Sequence, residues 1–75
     1  MAGVKFAKGS EEWQMFIDFW NLCQKYWIPE EKESYWKSLV SDAEEFIKKY
    51  NSDFARELAM VLMAEMEMKY KKGGR

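Results

Sequence analysis

The segment from Ser52 to Lys72 limits most strongly how this chain can fold. On a helical wheel of about 100° per residue, one face collects Ala55, Leu58, Ala59, Leu62, Met63, Met66 and Tyr70. Other apolar residues, including Met60, Val61 and Met68, lie outside that face. A helix that is apolar most of the way round must be covered by two neighbouring helices or by a partner chain. We therefore expect the remaining residues to supply further helices.

The segment that follows Ser10 predicts a first helix. Ser10 is a good N-cap, and Glu11 and Glu12 occupy the first turn, where carboxylates favour the positive helix end. Polar residues then recur as a stripe at Gln14, Asp18, Asn21 and Lys25. The residues across from that stripe are Phe16, Phe19, Trp20, Cys23 and Trp27. This amphipathic pattern predicts that Trp20 lies at the centre of the core.

A second helix is predicted to start at the only proline, Pro29, which suits the first position of a helix. Its apolar face contains Tyr35, Trp36, Leu39, Val40, Ala43, Phe46, Ile47 and Tyr50. The sequence Ser41-Asp42-Ala43-Glu44 also reads as a capping box, which would kink the helix near Ser41. Because the apolar face keeps its register across these residues, the pattern favours one continuous helix.

Asn51 tolerates the left-handed conformation that ends a helix, and Ser52 or Asp53 can cap the next one. The sequence thus predicts an all-α, compact three-helix bundle with an up-down-up order, over residues 10–27, 29–50 and 53–71. Residues 1–9 and 72–75 are expected to be flexible tails. In the alternative arrangement, the first two helices cross steeply, as in a helix-turn-helix.

Charge and apolar run length narrow the classes of function. The net charge is −1, yet residues 9–68 carry six basic residues against thirteen acidic ones. An acidic body argues against a folded surface that binds nucleic acid, where a basic stripe is expected. The longest apolar run is seven residues, against roughly 18 for a membrane span. One cysteine and no signal peptide predict a reducing cytoplasm.

The sequence offers little catalytic chemistry. There is no histidine, which removes the commonest general base and the commonest metal ligand. Cys23 lies between Phe19 and Trp27 on the apolar face, so we expect a buried, inert thiol. Glu65 is expected to pair with Lys69 four residues on. We therefore predict no catalytic residue, cofactor, metal site or small-molecule substrate, and a protein that is not an enzyme.

The methionines of the third helix suggest the sharpest functional hypothesis. Flexible Met side chains are common on adaptable binding surfaces, and Met60, Val61 and Met68 project from the flank of the helix. Trp13 borders the polar side of its own helix. We predict an interaction or adaptor protein that uses these four residues for self-association or for binding a partner helix. Two alternatives stay open: the flank fills a second helix contact, or the chain is a nucleic-acid-associated accessory protein of a bacterial or phage genome.

Overall fold

The computed structural model describes residues 3–73, and these form three helices without any strand. They are α1 (Glu11–Tyr26), α2 (Glu33–Tyr50) and α3 (Asp53–Gly73). Every pair of helices is in contact, and α2 and α3 pack against each other most extensively. The predicted all-α three-helix bundle is confirmed.

Contacts between side chains establish the direction of each helix. Asp42 of α2 binds Lys25 near the end of α1, while Asp18 near the middle of α1 binds Lys49 near the end of α2, so the two helices are antiparallel. Phe16 contacts Phe54 at the beginning of α3, and Trp27 contacts Lys69 near its end. The helices α1 and α3 are therefore parallel. This is the up-down-up order, and not the steep crossing.

The predicted helix caps are present. The Oγ atom of Ser10 accepts a hydrogen bond from the Trp13 N–H at 3.2 Å. Asn51 adopts the left-handed conformation with φ 44° and ψ 49°, and its N–H donates to the Ile47 carbonyl. The Oγ atom of Ser52 accepts from the Ala55 N–H at 3.1 Å. Local sequence therefore determines how α1 and α3 begin and how α2 ends.

The second helix starts four residues later than predicted, at Glu33, and the prediction that Pro29 begins it is wrong. Residues 27–32 instead form the linker that reverses the chain direction between α1 and α2. Its two ends are joined where the Tyr35 hydroxyl donates to the Tyr26 carbonyl at 2.7 Å. This linker is longer than the link between α2 and α3, which reverses the chain with only Asn51 and Ser52.

Smaller differences concern the kink and the helix ends. The second helix continues through Ser41 without interruption, so the capping box does not start a new helix. The first helix ends at Tyr26, with Trp27 as its C-cap, and α3 extends to Gly73. Residues 1–2 and 74–75 of the expected tails lie outside the described residues.

The core combines four aromatic rings, all tyrosine or phenylalanine, with aliphatic side chains and alanines. The buried residues of α2 and α3 are Tyr35, Leu39, Ala43, Phe46, Tyr50, Ala55, Ala59, Leu62 and Met66, all from the predicted faces. The prediction is wrong for Val40, which lies at the border of the α2 face and is 46% exposed. Alanines at the contacts let the helices approach closely and leave little space for an indole ring. None of the four tryptophans is buried.

The predicted orientation of α1 is wrong. Trp20 is 63% exposed, and the buried residues of α1 are Met15, Leu22 and Tyr26. Phe19 and Cys23 are only partly buried against this core. On the helical wheel, the buried face lies about 110° from the centre of the group formed by Phe16, Trp20, Cys23 and Trp27.

Candidate functional site

A hydrogen-bond network at Asp18 fixes one end of the contact between α1 and α2. Its carboxylate accepts from Lys49 Nζ at 2.8 Å, from the Tyr50 hydroxyl and from Gln14 Nε2 at 3.0 Å. Burial opposes ionisation of Asp18, but the hydrogen bonds from Lys49, Tyr50 and Gln14 outweigh it and lower its pKa. Asp18 therefore faces α2 as an ionised, paired group.

A second network repeats this arrangement with the helices exchanged. Asp42 of α2 accepts from Lys25 Nζ at 2.8 Å and from the Tyr26 hydroxyl at 2.5 Å. Hydrogen bonds from Lys25 and Tyr26 lower the pKa of Asp42, and burial raises the pKa of the Tyr26 hydroxyl. Each carboxylate thus binds a lysine and a tyrosine near the end of the opposite helix.

The two networks share a sequence signature. An aspartate is followed seven and eight residues later by Lys-Tyr, at 18/25/26 in α1 and at 42/49/50 in α2. In the sequence alone, Asp18 and Lys25 are recognised only as members of a polar stripe. The repeated spacing was the available signal for a reciprocal, antiparallel pairing. It explains the orientation of α1, because turning its polar stripe toward α2 leaves its aromatic residues outside the core.

The consequence is an exposed aromatic stripe, which we define as Phe16, Trp20, Cys23 and Trp27. Trp20 is 63% exposed, Trp27 49% and Phe16 37%, while Cys23 is half-buried. The spacing of four, three and four residues places them within about 60° on the wheel. From Trp13 to Ile28 the only charged residues are Asp18 and Lys25, and both are bound to α2. The outer surface of α1 around the stripe is therefore uncharged.

A second row of apolar residues runs beside the aromatic stripe on α3. We define this α3 edge as Phe54, Leu58, Val61 and Met68, of which Leu58 is half-buried and the other three are more than half exposed. Helix geometry places these four residues on the side of α3 that faces α1.

Direct contacts join the two rows at both ends. The ring centroids of Phe16 and Phe54 are 6.0 Å apart. Lys69 Nζ lies 3.7 Å from the centroid of the Trp27 ring and donates to the Trp27 carbonyl at 2.7 Å. The expected pairing of Lys69 with Glu65 is therefore replaced by a contact that caps the end of α1. We refer to the aromatic stripe and the α3 edge together as the open face.

The four residues predicted as an interface do not all lie together. Val61 and Met68 belong to the open face. Met60 is 53% exposed, but helix geometry turns it toward the α2 side of α3, where Tyr70 contacts Trp36. Trp13 is half-buried on α1. Their role in binding stays a prediction, and sequence reasoning missed the more exposed Trp20 because it placed that residue in the core.

Cys23 lies in an open depression of about 530 Å³ that is lined by Trp20, Cys23, Gln24 and Trp27. The predicted burial of this thiol is only partial. Burial nevertheless raises the pKa of Cys23, which lowers its thiolate fraction at neutral pH. Its inertness in the native state stays a prediction. The lining of the depression is mostly apolar, as in sites that receive an apolar side chain.

The N-terminal segment adds one more ring to this surface. Phe6 stacks on Phe16 with their ring centroids 5.6 Å apart, although residues 3–9 are exposed. Phe6 itself is 45% exposed. It covers one side of Phe16 and extends the open face instead of closing it.

Within residues 3–73, no three His, Cys, Asp or Glu side chains come together in a group that could hold a metal ion. The same residues contain no helix with the length and apolar character needed to cross a membrane. No family model, curated protein or solved structure matches this chain.

Proposed function

We propose that this chain is a small cytoplasmic interaction domain, without catalysis, that binds an apolar protein surface through the open face. The observation that supports this proposal best is the exposure of Trp20 and Trp27. With about 250 Å² for tryptophan, the largest of the aromatic side chains, their exposed fractions correspond to about 280 Å² of surface. That is close to the largest apolar patch on a typical monomer, before the α3 edge is added.

The spacing of the residues favours a helix as the bound element. The aromatic stripe follows intervals of four, three and four residues, which is the pattern that receives a partner helix along a groove, and Phe54, Leu58 and Val61 of the α3 edge continue it at intervals of four and three. Tryptophans are also the residues most enriched among those that dominate binding energy at interfaces. An uncharged α1 surface lowers the desolvation cost of covering the open face.

The chemistry beside the open face favours a protein over nucleic acid. Glu57 and Glu65 flank Val61 on α3, and Lys69, which contacts the open face, is engaged by the ring and the carbonyl of Trp27. Platforms that stack single-stranded bases combine aromatic rings with a basic groove. The carboxylates here would repel a phosphate backbone.

A site-specific photo-cross-linker tests the proposal in the cells that produce the chain. Benzoylphenylalanine replaces Val61, on the open face, and in a matched control replaces Val40, an exposed apolar residue of α2. We expect protein adducts from position 61 in clear excess over position 40. Equal adduct formation at the two positions, or adducts to nucleic acid at position 61, would overturn the proposed function.

A further inference from the structure

Building on the proposed function, we propose that the occupant of the open face is a second copy of this chain, related by a two-fold axis that sets the two α1 helices antiparallel. The axis passes between Trp20 and Cys23, so that each Trp20 enters the depression lined by Trp20, Cys23, Gln24 and Trp27 of the other copy. Three independent features of the molecule support this arrangement.

The first feature is the symmetry of the aromatic stripe. Its intervals of four, three and four residues read the same in both directions. An antiparallel copy therefore places Phe16 opposite Trp27 and Trp20 opposite Cys23, twice each. The central pair matches the most exposed ring of the stripe with its smallest side chain, as knobs fit holes in paired helices. A two-fold interface requires this kind of self-complementarity.

The second feature is the distribution of charge along α3. From Asp53 to Glu65 there are three acidic residues and one arginine, whereas from Met66 to Gly73 there are three lysines and one glutamate. The contacts Phe16–Phe54 and Trp27–Lys69 place the axis level with residues 61–62 of α3. In an antiparallel dimer, the lysines at 69, 71 and 72 of one α3 therefore lie near Asp53 of the other, while Glu57 and Glu65 meet near the axis. A parallel dimer would bring like charges together at both ends. Complementary charge fixes the orientation of an interface more than it adds affinity.

The third feature is the amount of surface. The chain exposes 5849 Å², while a compact protein of 9.0 kDa is expected to expose about 4,900 Å². The extended segment 3–9 contributes part of the excess, and the open face contributes another part. A standard interface covers about 800 Å² on each partner. The part of the excess that lies on the open face is apolar surface that a dimer would cover.

The mass of the purified full chain tests self-association. Sedimentation from micromolar to millimolar concentration should show a shift from monomer to dimer for the wild type. Trp20→Lys should stay monomeric over this range, because it places a cation in an apolar depression on both sides of the axis. Val40→Lys adds the same charge at an exposed residue of α2 and should dimerise like the wild type. Circular dichroism of each variant confirms that it is folded.

A distance between spin labels tests the orientation. In a Cys23→Ser background that still dimerises, a nitroxide is attached at Lys71→Cys, an exposed position near the end of α3. The two-fold axis is level with residues 61–62 of α3, so a rise of about 1.5 Å per residue separates the two labels by about 28 Å along the helix axis in the antiparallel dimer. A parallel dimer gives no axial separation, and a correspondingly short distance would overturn the proposed arrangement.

The outcomes separate this inference from the proposed function. A wild-type chain that stays monomeric at millimolar concentration overturns the dimer. Adducts from position 61 to a different protein would then keep the proposed function. Loss of dimer in Val40→Lys but not in Trp20→Lys would assign self-association to another surface and also overturn the inference.

Discussion

The two sides of α1 differ in how far they are covered by the rest of the molecule. Toward α2, the helix presents Asp18 and Lys25. Asp18 binds Lys49 and Tyr50, and Lys25 binds Asp42. On its other side it presents Phe16, Trp20 and Trp27, and this side remains largely exposed. The polar side of the helix is therefore closed, and the aromatic side is open.

This difference shows that satisfied polar groups can outcompete large apolar ones for a place against a neighbouring helix. A narrow three-helix core has no room for indole rings, and tryptophan is rarely buried completely even in larger proteins. Tyrosines, in contrast, fill the core with their rings and reach its edge with their hydroxyls. Tyr26 and Tyr50 do both, since each hydroxyl binds an aspartate of the opposite helix.

The largest difference in stability between the two sides of α1 is expected from alanine substitutions at Leu22 and Trp20, which are only two residues apart. Leu22→Ala removes a buried side chain, and we expect a loss of about 2–4 kcal/mol in the free energy of unfolding. Trp20→Ala removes a much larger but exposed side chain, and should cost about 1 kcal/mol or less. Urea unfolding at low protein concentration measures both, because dimerisation raises apparent stability. The reverse order would return Trp20 to the core.

A smaller effect is expected at the networks between α1 and α2. Asp42→Asn removes the charge that binds Tyr26 and Lys25 and should lower the free energy of unfolding by about 1–2 kcal/mol at neutral pH. The pKa of Asp42 in the folded chain is lower than the ordinary value of an aspartate, which is about 3.9. The folded chain therefore binds fewer protons than the unfolded chain in this range, and the stabilisation is lost as pH falls below about 4.

Urea unfolding as a function of pH checks this, with Glu44→Gln as the control at an exposed carboxyl group. The variant Asp42→Asn should lose less stability than the wild type below about pH 4, whereas Glu44→Gln should follow the wild type. If Asp42→Asn and the wild type showed the same acid dependence, Asp42 would not be a stabilising partner of Tyr26.

The hydroxyl of Tyr50 isolates one hydrogen bond of the same contact. Tyr50→Phe keeps the buried ring and leaves Asp18 bound to Lys49 and Gln14, so we expect a cost of about 1 kcal/mol. Tyr70→Phe is a suitable control on α3, since its ring contacts Trp36 and its hydroxyl makes no hydrogen bond to any of residues 3–73. Thermal unfolding of both variants measures the difference, and equal midpoints would contradict this account.

The smallest effect is expected where α3 meets the end of α1. Lys69→Met keeps the aliphatic part of the side chain but removes the cation above Trp27 and the hydrogen bond to its carbonyl. We expect a loss of about 0.5–1 kcal/mol, measured by urea unfolding, together with faster hydrogen exchange in the last turn of α1. Unchanged exchange there would show that the contact does not hold the end of the helix.

The sequence by itself determined the helical class, the number of helices, their order and the caps at Ser10, Asn51 and Ser52. Those features depend on local periodicity and on backbone hydrogen bonds between residues close in the chain. It also identified the buried faces of α2 and α3, whose apolar residues leave only one way to face a core. The sequence also predicted that Val61 and Met68 lie on the flank of α3, outside its buried face.

Only the tertiary structure decided which side of α1 is buried and where α2 begins. Hydropathy ranks Trp20 above Tyr26 as a core residue, because it counts the apolar area of each residue alone. Burial in the fold also depends on whether a ring fits between closely packed helices and whether its polar atoms find hydrogen-bond partners. The hydroxyls of Tyr26 and Tyr50 find such partners 16 and 32 residues away. The open face exists because those distant hydrogen bonds orient α1, and no local pattern around Trp20 contains them.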